Sequence, residues 1–122
     1  MDEKELKREI ARILDKIPRN FRRRLENVAI VVEKRPEKNQ LKALGLDPRR
    51  HTLYGLYEGT PLPERSAVYP PLLPDKITIF SEPLMLDFPD PDELREQLRA
   101  TLVHEIAHYF GMEESEIRDL GY

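Results

Sequence analysis

Apolar residues recur at helical spacing near the start of the chain. In MDEKELKREIARILDKIP they occupy one side of a predicted helix, and Pro18 follows as a stop. The stripe consists of Leu6, Ile10, Ile13, Leu14 and Ile17. After Pro18, Asn20 can cap a short second helix that carries Phe21 and Leu25. The pattern therefore predicts two consecutive helices before the first strand.

The middle of the chain changes to patterns that are typical of strands. VAIVVEKRP contains an apolar run from Val28 to Val32, which indicates a buried strand that closes before Pro36. TLYGLYEG predicts a second strand, with Gly55 and Gly59 at bulge or turn positions. KITIFSEP predicts a third strand, in which Ile77 and Ile79 alternate with Thr78 and Phe80.

Segments rich in turn-forming residues connect these predicted strands. One helical turn is predicted around Leu41 to Leu44, and Gly45 ends it. PLPERSAVYPPLLPD reads as a proline-rich loop.

FPDPDELREQLRATLVHEIAHYFG has a clear helical start and end. Asp90 can cap the helix, Pro91 suits its first position, and Gly111 is the expected left-handed terminator. An apolar stripe runs along it through Leu94, Leu98, Leu102, Ile106 and Phe110. MEESEIRDLGY then predicts one more short helix, which packs Ile117 and Leu120.

The order of these elements predicts a fold class. Two helices, three strands and two further helices suggest a small α+β domain, with a mixed sheet of three to four strands packed against helices. The chain has 122 residues, which fits one domain spanning residues 1–122. The candidate chemistry described next lies on the penultimate predicted helix.

Composition excludes several classes of partner and ligand. The formal net charge of −3 gives no basic footprint for nucleic acid, and no apolar run approaches membrane-spanning length. The charged N-terminus also lacks the apolar core of a secretory signal, so we expect a cytoplasmic protein that binds neither nucleic acid nor membrane. Because the chain has no cysteine, any metal must be held by His, Asp or Glu.

Two of the three histidines lie four residues apart on the predicted helix, in the pattern H-E-x-x-H. One ion can reach both His104 and His108, because side chains at i and i+4 lie one turn apart on the same face. Glu105 is better placed to reach a water on the metal than the metal itself, so we predict that it is a general base. The alternative is that all three are ordinary helix residues.

The third ligand is predicted from the turn that follows. A left-handed residue at Gly111 turns the chain back under the helix, so Glu114, three residues further on, can return to the metal. Four other side chains remain candidates for this role: Glu113, Glu116, Asp119 and His51.

HEIAHYFGMEE resembles the H-E-x-x-H-x-x-G-x-x-D signature of the bacterial minimal zincins, small metallopeptidase domains of about this length with a short-sheet zincin fold. IPRNFRRRLENVAIVVEKRP, LYGLYEGTPLPERS and DKITIFSEPL are similar as well. The resemblance implies that His104, His108 and Glu114 are ligands of Zn²⁺ and that Glu105 is the catalytic acid and base. Glu114 stands where the family pattern has Asp. The metzincins carry histidine at that position, and their methionine turn is not evident here.

These observations predict a zinc-dependent peptidase that acts on a peptide or protein substrate. The alternative is a non-hydrolytic metal-binding or protein-interaction module, which has no need of an acid at the position of Glu105. The resemblance suggests that KITIF pairs with an extended substrate as an edge strand, although an ordinary sheet strand that buries Ile77, Ile79 or Phe80 is equally consistent. Polar candidates to stabilise an oxyanion are Tyr54, Tyr57, Arg65 and Tyr69.

Overall fold

The computed structural model describes residues 1–59 and 75–119 of the chain. The described helices are α1 (Glu3–Asp15), α2 (Arg19–Arg24), α3 (Lys38–Ala43), α4 (Ser81–Asp87), α5 (Pro91–Tyr109) and α6 (Glu114–Asp119). The strands are β1 (Val28–Glu33), β2 (Gly55–Glu58) and β3 (Asp75–Phe80). The protein is thus a small α+β domain, as the order of predicted elements indicated. The proline-rich loop predicted from PLPERSAVYPPLLPD lies almost wholly outside the described residues.

The three described strands form one mixed sheet in the order β1-β3-β2. Strand β1 pairs with β3 in parallel, and β2 pairs with β3 in antiparallel orientation. The suggestion that KITIF is an edge strand is therefore wrong, because β3 is the central strand. Its residues from Ile77 to Phe80 are all buried, as expected of a strand that is covered on both faces.

The two outer strands depart from the sequence expectations in different ways. The run from Val28 to Val32 was predicted to be buried, but β1 is only half-buried because it pairs on one side alone among the described strands. In β2, Gly55 was predicted at a bulge or turn, but it is paired in register with Ile79. Gly59, with φ 151°, lies just beyond the end of β2.

Helix α1 agrees with the predicted amphipathic stripe. The side chain of Asp2 caps it by accepting a hydrogen bond from the Glu5 N–H at 2.8 Å. Leu6 and Ile10 lie in the hydrophobic core with residues of α5 and β3. Ile17 lies beyond the last helical residue but packs on the core from its edge.

The short helices α2 and α3 differ in how well they were predicted. Asn20 was expected to cap α2, but Pro18 occupies the cap position and makes no side-chain hydrogen bond there. Helix α3 carries the predicted Leu41 and is followed by Gly45 in the left-handed region, at φ 75°. The longer α3 adds a turn on the N-terminal side of the predicted one.

Helix α4 was not predicted, because KITIFSEP was assigned to a strand as a whole. The strand ends at Phe80 and the helix begins at Ser81, so Pro83 falls in the first helical turn. A proline is tolerated there because the first N–H groups of a helix have no intrahelical partner. Within the described ranges, no helix combines the length and apolar character needed to cross a membrane.

Helix α5 begins and ends as predicted. The Asp90 side chain accepts a hydrogen bond from the Glu93 N–H at 3.0 Å, and Pro91 is the first helical residue. The stripe residues Leu94, Leu98, Leu102 and Ile106 are buried, and Phe110 packs against the core from its edge. Ile117 of α6 is also buried, whereas Leu120 lies outside the described residues.

Candidate metal centre

His104 and His108 lie one turn apart on the last part of α5, with ring centroids separated by 4.7 Å. Their side chains are 28% and 30% exposed, so both rings are reachable from solvent. The helical spacing that sequence patterning predicted for this segment thus places the two imidazoles side by side.

Glu114 reaches the histidines because the chain reverses directly after α5. Gly111 is left-handed, at φ 81°, and its N–H donates to the His108 carbonyl at 2.9 Å. The Met112 N–H donates to the Ala107 carbonyl at 3.0 Å, which completes a Schellman motif. The reversal places Glu114 at the first residue of α6, facing α5.

One oxygen of Glu114 contacts both imidazoles. The Nε2 atoms of His104 and His108 donate to Glu114 Oε1 at 3.0 Å and 2.8 Å, since a carboxylate oxygen can only accept. Burial raises the pKa of Glu114, but the hydrogen bonds to His108 and His104 outweigh this effect and lower its pKa overall. Glu114 is therefore held as a carboxylate, the form that binds metal.

The other candidates for the third ligand do not join this cluster. Among the residues that the structure describes, His104, His108 and Glu114 form the one metal-compatible group, with ligand atoms within 4.8 Å of one another. Glu116 instead accepts a hydrogen bond from the Glu113 N–H at 3.2 Å. His51 contacts the Asp47 carbonyl, close to its own position in the chain. Asp119 likewise stands outside the group.

The donor set fits zinc. Two imidazoles and one carboxylate are a ligand set of catalytic zinc sites, which keep a further position for water or substrate. One ion with bonds of about 2.0–2.2 Å holds its ligand atoms within about 4.4 Å of one another. The spacing in the cluster is close to that value, so small side-chain movements suffice to gather His104, His108 and Glu114 around one ion.

Glu105 lies beside the cluster but is buried, with a side chain 8% exposed. Its Oε1 atom is 3.6 Å from His108 Nδ1, and its Oε2 atom has no hydrogen-bond partner among the described residues. Burial raises the pKa of Glu105, and the nearby His108 and His104 offset part of that rise. An unpartnered buried carboxylate oxygen is costly, so its presence here indicates a role other than stabilisation.

The burial of Glu105 depends on how closely β2 approaches α5. A Cβ atom on Gly55 would lie 2.8 Å from Thr101 Cγ2 and 3.3 Å from Glu105 Cγ. Only a glycine allows the strand to lie this near the helix. Sequence analysis missed this role of Gly55, although a glycine inside a strand pattern is also a known sign of close backbone approach.

The cluster and Glu105 open into one pocket of about 480 Å³ between β2, α5 and the end of α3. Apolar side chains form much of the remaining lining, notably Leu44, Leu53 and Leu56. A space of this size, with a few polar groups in an apolar surround, is typical of a ligand-binding site.

The tyrosines considered as oxyanion donors line the pocket, but their hydroxyl groups are engaged elsewhere. Tyr54 donates to Asp87 Oδ2 at 2.5 Å, and this hydrogen bond raises the pKa of Tyr54. Tyr57 donates to Asp75 Oδ2 at 2.9 Å. Two further candidates, Arg65 and Tyr69, fall on residues that the structure does not describe.

The fold and the site together are those of a zincin-like domain. The sheet is mixed, the long helix carries H-E-x-x-H, and a tight turn brings a carboxylate back to the two histidines. The sequence profile of the zincin-like metallopeptidase family matches residues 25–122, so this chain belongs to that family. Membership implies a metal cofactor, and the cluster of His104, His108 and Glu114 is its candidate site. A comparison with curated proteins finds no match. That residues 1–122 form a single domain stays a prediction.

Proposed function

We propose that this protein is a zinc-dependent peptidase in which Glu105 is the general base. One observation carries the proposal: the buried and unpartnered Oε2 atom of Glu105 lies beside two histidines that converge on Glu114, in the same pocket. A metal site that only stabilises a fold does not require such an acid.

His104 Nε2, His108 Nε2 and Glu114 Oε1 would hold the ion. When bound, zinc supplies Lewis-acid polarisation of a carbonyl and lowers the pKa of a water to about 7. The three side chains contribute orientation, since α5 fixes the two rings and the Schellman motif at Gly111 fixes Glu114.

Glu105 would move the proton. Its Oε2 accepts a proton from water during attack on the peptide carbonyl and later delivers it to the leaving amine. Because burial raises its pKa, Glu105 accepts a proton more readily than an exposed carboxylate does. The Oε1 atom of the same carboxylate lies 3.6 Å from His108 Nδ1.

A peptide or protein is the proposed substrate, and the cytoplasm stays the predicted location. A protein that binds metal or peptides without hydrolysis is the competing outcome. The experiment that separates the two combines zinc content with hydrolysis of peptide libraries. It uses wild type, Glu105→Gln, and the double variant His104→Ala, His108→Ala, with Glu113→Gln as the matched control. Glu113 is an exposed acid one residue from Glu114.

We expect about one zinc per chain in wild type and none in the double histidine variant. Glu105→Gln should retain its zinc and lose about 100-fold to 10,000-fold of the hydrolysis rate, the usual scale for a positioned acid or base. Glu113→Gln should match wild type in both respects. Equal rates for Glu105→Gln and wild type would exclude Glu105 as the base, and zinc bound to the double variant would move the metal site elsewhere.

A further inference from the structure

A second cavity, of about 190 Å³, lies where α2, α5 and α6 meet, and we call it the α2–α6 groove. It shares no lining residue with the pocket of the metal cluster. Its described lining is apolar throughout and includes Ile17, Phe21, Val103, Phe110, Met112 and Ile117. The Phe21 ring is 43% exposed and packs edge-on against Phe110, with ring centroids 5.7 Å apart. An exposed aromatic ring beside an apolar groove gains free energy when another surface covers both.

The two chain segments that border this groove carry opposite charges. Residues 16–24, which we call the basic border, contain five cations and no acid, in a chain whose net charge is −3. Residues 113–119, the acidic border, contain four acids and one cation. These side chains all belong to exposed residues: Lys16, Arg19, Arg22, Arg23 and Arg24 on one border, and Glu113, Glu114, Glu116, Arg118 and Asp119 on the other.

Contacts within the chain leave most of these charges without an ionic partner. Of the five cations in the basic border, only Arg22 makes an ion pair with a described residue, and its partner is Asp15 at 3.6 Å. On the acidic border, Glu114 contacts the two histidines of the metal cluster. No ion pair joins the two borders within the described part of the chain. Both borders therefore keep charge that a second molecule can neutralise.

A second copy of this chain has the chemistry that fits such a surface. In a two-fold dimer the same patch of both protomers forms the interface, so the patch must be complementary to itself. The basic border of one protomer can lie against the acidic border of its partner, and the symmetry repeats this contact. A patch of one sign would instead repel its own copy. The groove and the exposed ring of Phe21 then provide the apolar centre that interfaces require.

We infer that the α2–α6 groove is the interface of a two-fold homodimer, in which the basic border of each protomer pairs with the acidic border of the other. Phe21 supplies the exposed apolar contact at its centre. The charges at the edge set the orientation of the two chains more than the strength of their association. The inference goes beyond the proposed peptidase function, and its test needs neither bound zinc nor hydrolysis.

Sedimentation velocity over a series of protein concentrations tests the dimer directly. Wild type should shift reversibly from monomer to dimer as its concentration rises. Phe21→Ala should weaken the dimer by about 10-fold, the scale of removing one large apolar side chain from an interface. Leu86→Ala, at a leucine that is 72% exposed on α4 and outside the groove, should associate like wild type. A wild type that is monomeric up to its solubility limit would overturn the inference.

Charge reversal tests which borders meet. The triple variant Arg22→Glu, Arg23→Glu, Arg24→Glu leaves two cations against three acids on the basic border, so both borders become acidic. The double variant Glu113→Lys, Glu116→Lys leaves two acids against three cations on the acidic border, so both become basic. Each variant alone should stay monomeric at concentrations where wild type is a dimer, because like charges would face each other.

An equal mixture of the two variants should restore a dimer that contains one chain of each. Every border then faces the opposite sign, and a fluorescent label on one variant reports the association. Restored association also shows that both variants are folded. A mixture that stays monomeric, with both chains folded by circular dichroism, would overturn the pairing of the borders. The wild-type dimer needs no variant for a parallel test: added salt should weaken it, and a dimer that salt leaves unchanged would overturn the pairing as well.

Leu120, which follows α6 directly and lies outside the described residues, is the competing occupant of the groove. The variant Leu120→Ser separates the two possibilities in the full-length chain. If a second copy covers the groove, wild type and Leu120→Ser should both form the dimer. A wild type that stays monomeric while Leu120→Ser dimerises would show that the chain covers its own groove, and would overturn the inference.

Discussion

Two faces of α5 differ in how well packing and hydrogen bonds stabilise their side chains. On the core face, Leu94, Leu98 and Leu102 are at most 2% exposed and pack with α1 and β3. On the pocket face, His104 and His108 are partly exposed, and Glu105 between them is buried with an unpartnered oxygen. The same helix therefore carries one face that stabilises the fold and one that costs stability in the metal-free protein.

The difference follows from what each face contacts. Apolar side chains need only close packing, which the neighbouring helix and sheet provide. A carboxylate needs hydrogen bonds or water, and Glu105 Oε2 has no hydrogen-bond partner among the described residues. Residues that serve chemistry are commonly less well satisfied than the core, and the following substitutions test that contrast from the largest expected effect to the smallest.

Leu98→Ala should destabilise the protein by removing a buried side chain from the core face of α5. Leu98 has no exposed surface, so its truncation should lower the free energy of unfolding by about 2–5 kcal/mol. Urea denaturation followed by circular dichroism measures the loss. Leu86→Ala, at a leucine that is 72% exposed, should change stability by less than about 0.5 kcal/mol. Similar losses in both variants would contradict the assignment of the core.

Glu114→Ala should weaken zinc binding at the pocket face of α5 without unfolding the chain. Two histidines alone make an incomplete site, so zinc affinity should fall by about 10-fold to 1,000-fold, or about 1.4–4 kcal/mol. Competition with a chromogenic chelator gives the affinity, and circular dichroism checks the fold. Glu113→Ala should bind zinc like wild type. Unchanged affinity in Glu114→Ala would transfer the third ligand to another side chain.

Gly55→Ala should disturb the contact between β2 and α5. The added methyl group would meet Thr101 Cγ2 at 2.8 Å, so the strand must shift, at a cost of about 1–3 kcal/mol. Gly45→Ala is the informative comparison: it is strained at φ 75° but meets no atom within 4 Å. Only the Gly55 variant should also change peptide hydrolysis. A wild-type rate in Gly55→Ala would argue against the importance of the close approach.

Glu105→Gln should stabilise the metal-free protein near neutral pH, by about 1 kcal/mol, because a buried charge is removed. The pKa of Glu105 is raised by burial, so the folded state holds this proton more tightly than the unfolded state does. The stability that this group contributes is complete below the unfolded pKa of about 4.3 and is lost as pH rises through the folded pKa.

The difference between Glu105→Gln and wild type should therefore be small at pH 4 and largest at neutral pH. Chelator-treated samples unfolded in urea across this range provide the measurement. A variant less stable than wild type at neutral pH would mean that the carboxylate is satisfied in the fold and that the pocket face carries no such cost.

The sequence predicted α5 and its cluster because their signals are local. The cap at Asp90, Pro91 at the first position, the leucine stripe and Gly111 all act within a few residues of one another. The place of Glu114 follows from the same turn, so its convergence with the histidines could be anticipated from spacing. Whether these residues bind metal stays a prediction.

What the sequence could not predict depends on contacts between distant segments. The central position of β3 is set by pairing with β1 and β2, and nothing in KITIF distinguishes a central strand from an edge strand. The helix that begins at Ser81 was not predicted because the strand pattern runs into it without a break. The close approach of Gly55 in β2 to Glu105 in α5 likewise joins segments that are far apart in the chain.

The tight turn at Gly111 brings together ligands that are already close in sequence. His104 and Glu114 are only ten residues apart. Closing so short a loop costs little chain entropy, so an unfolded chain can also gather these side chains around an ion. An ion that binds both states raises the free energy of unfolding less than its affinity for the folded protein implies. Burial of Glu105, in contrast, involves long-range contact with β2, and such non-local contacts are slow to form because loop-closure entropy opposes them. Metal uptake and catalytic competence would then be separate events in the maturation of the protein.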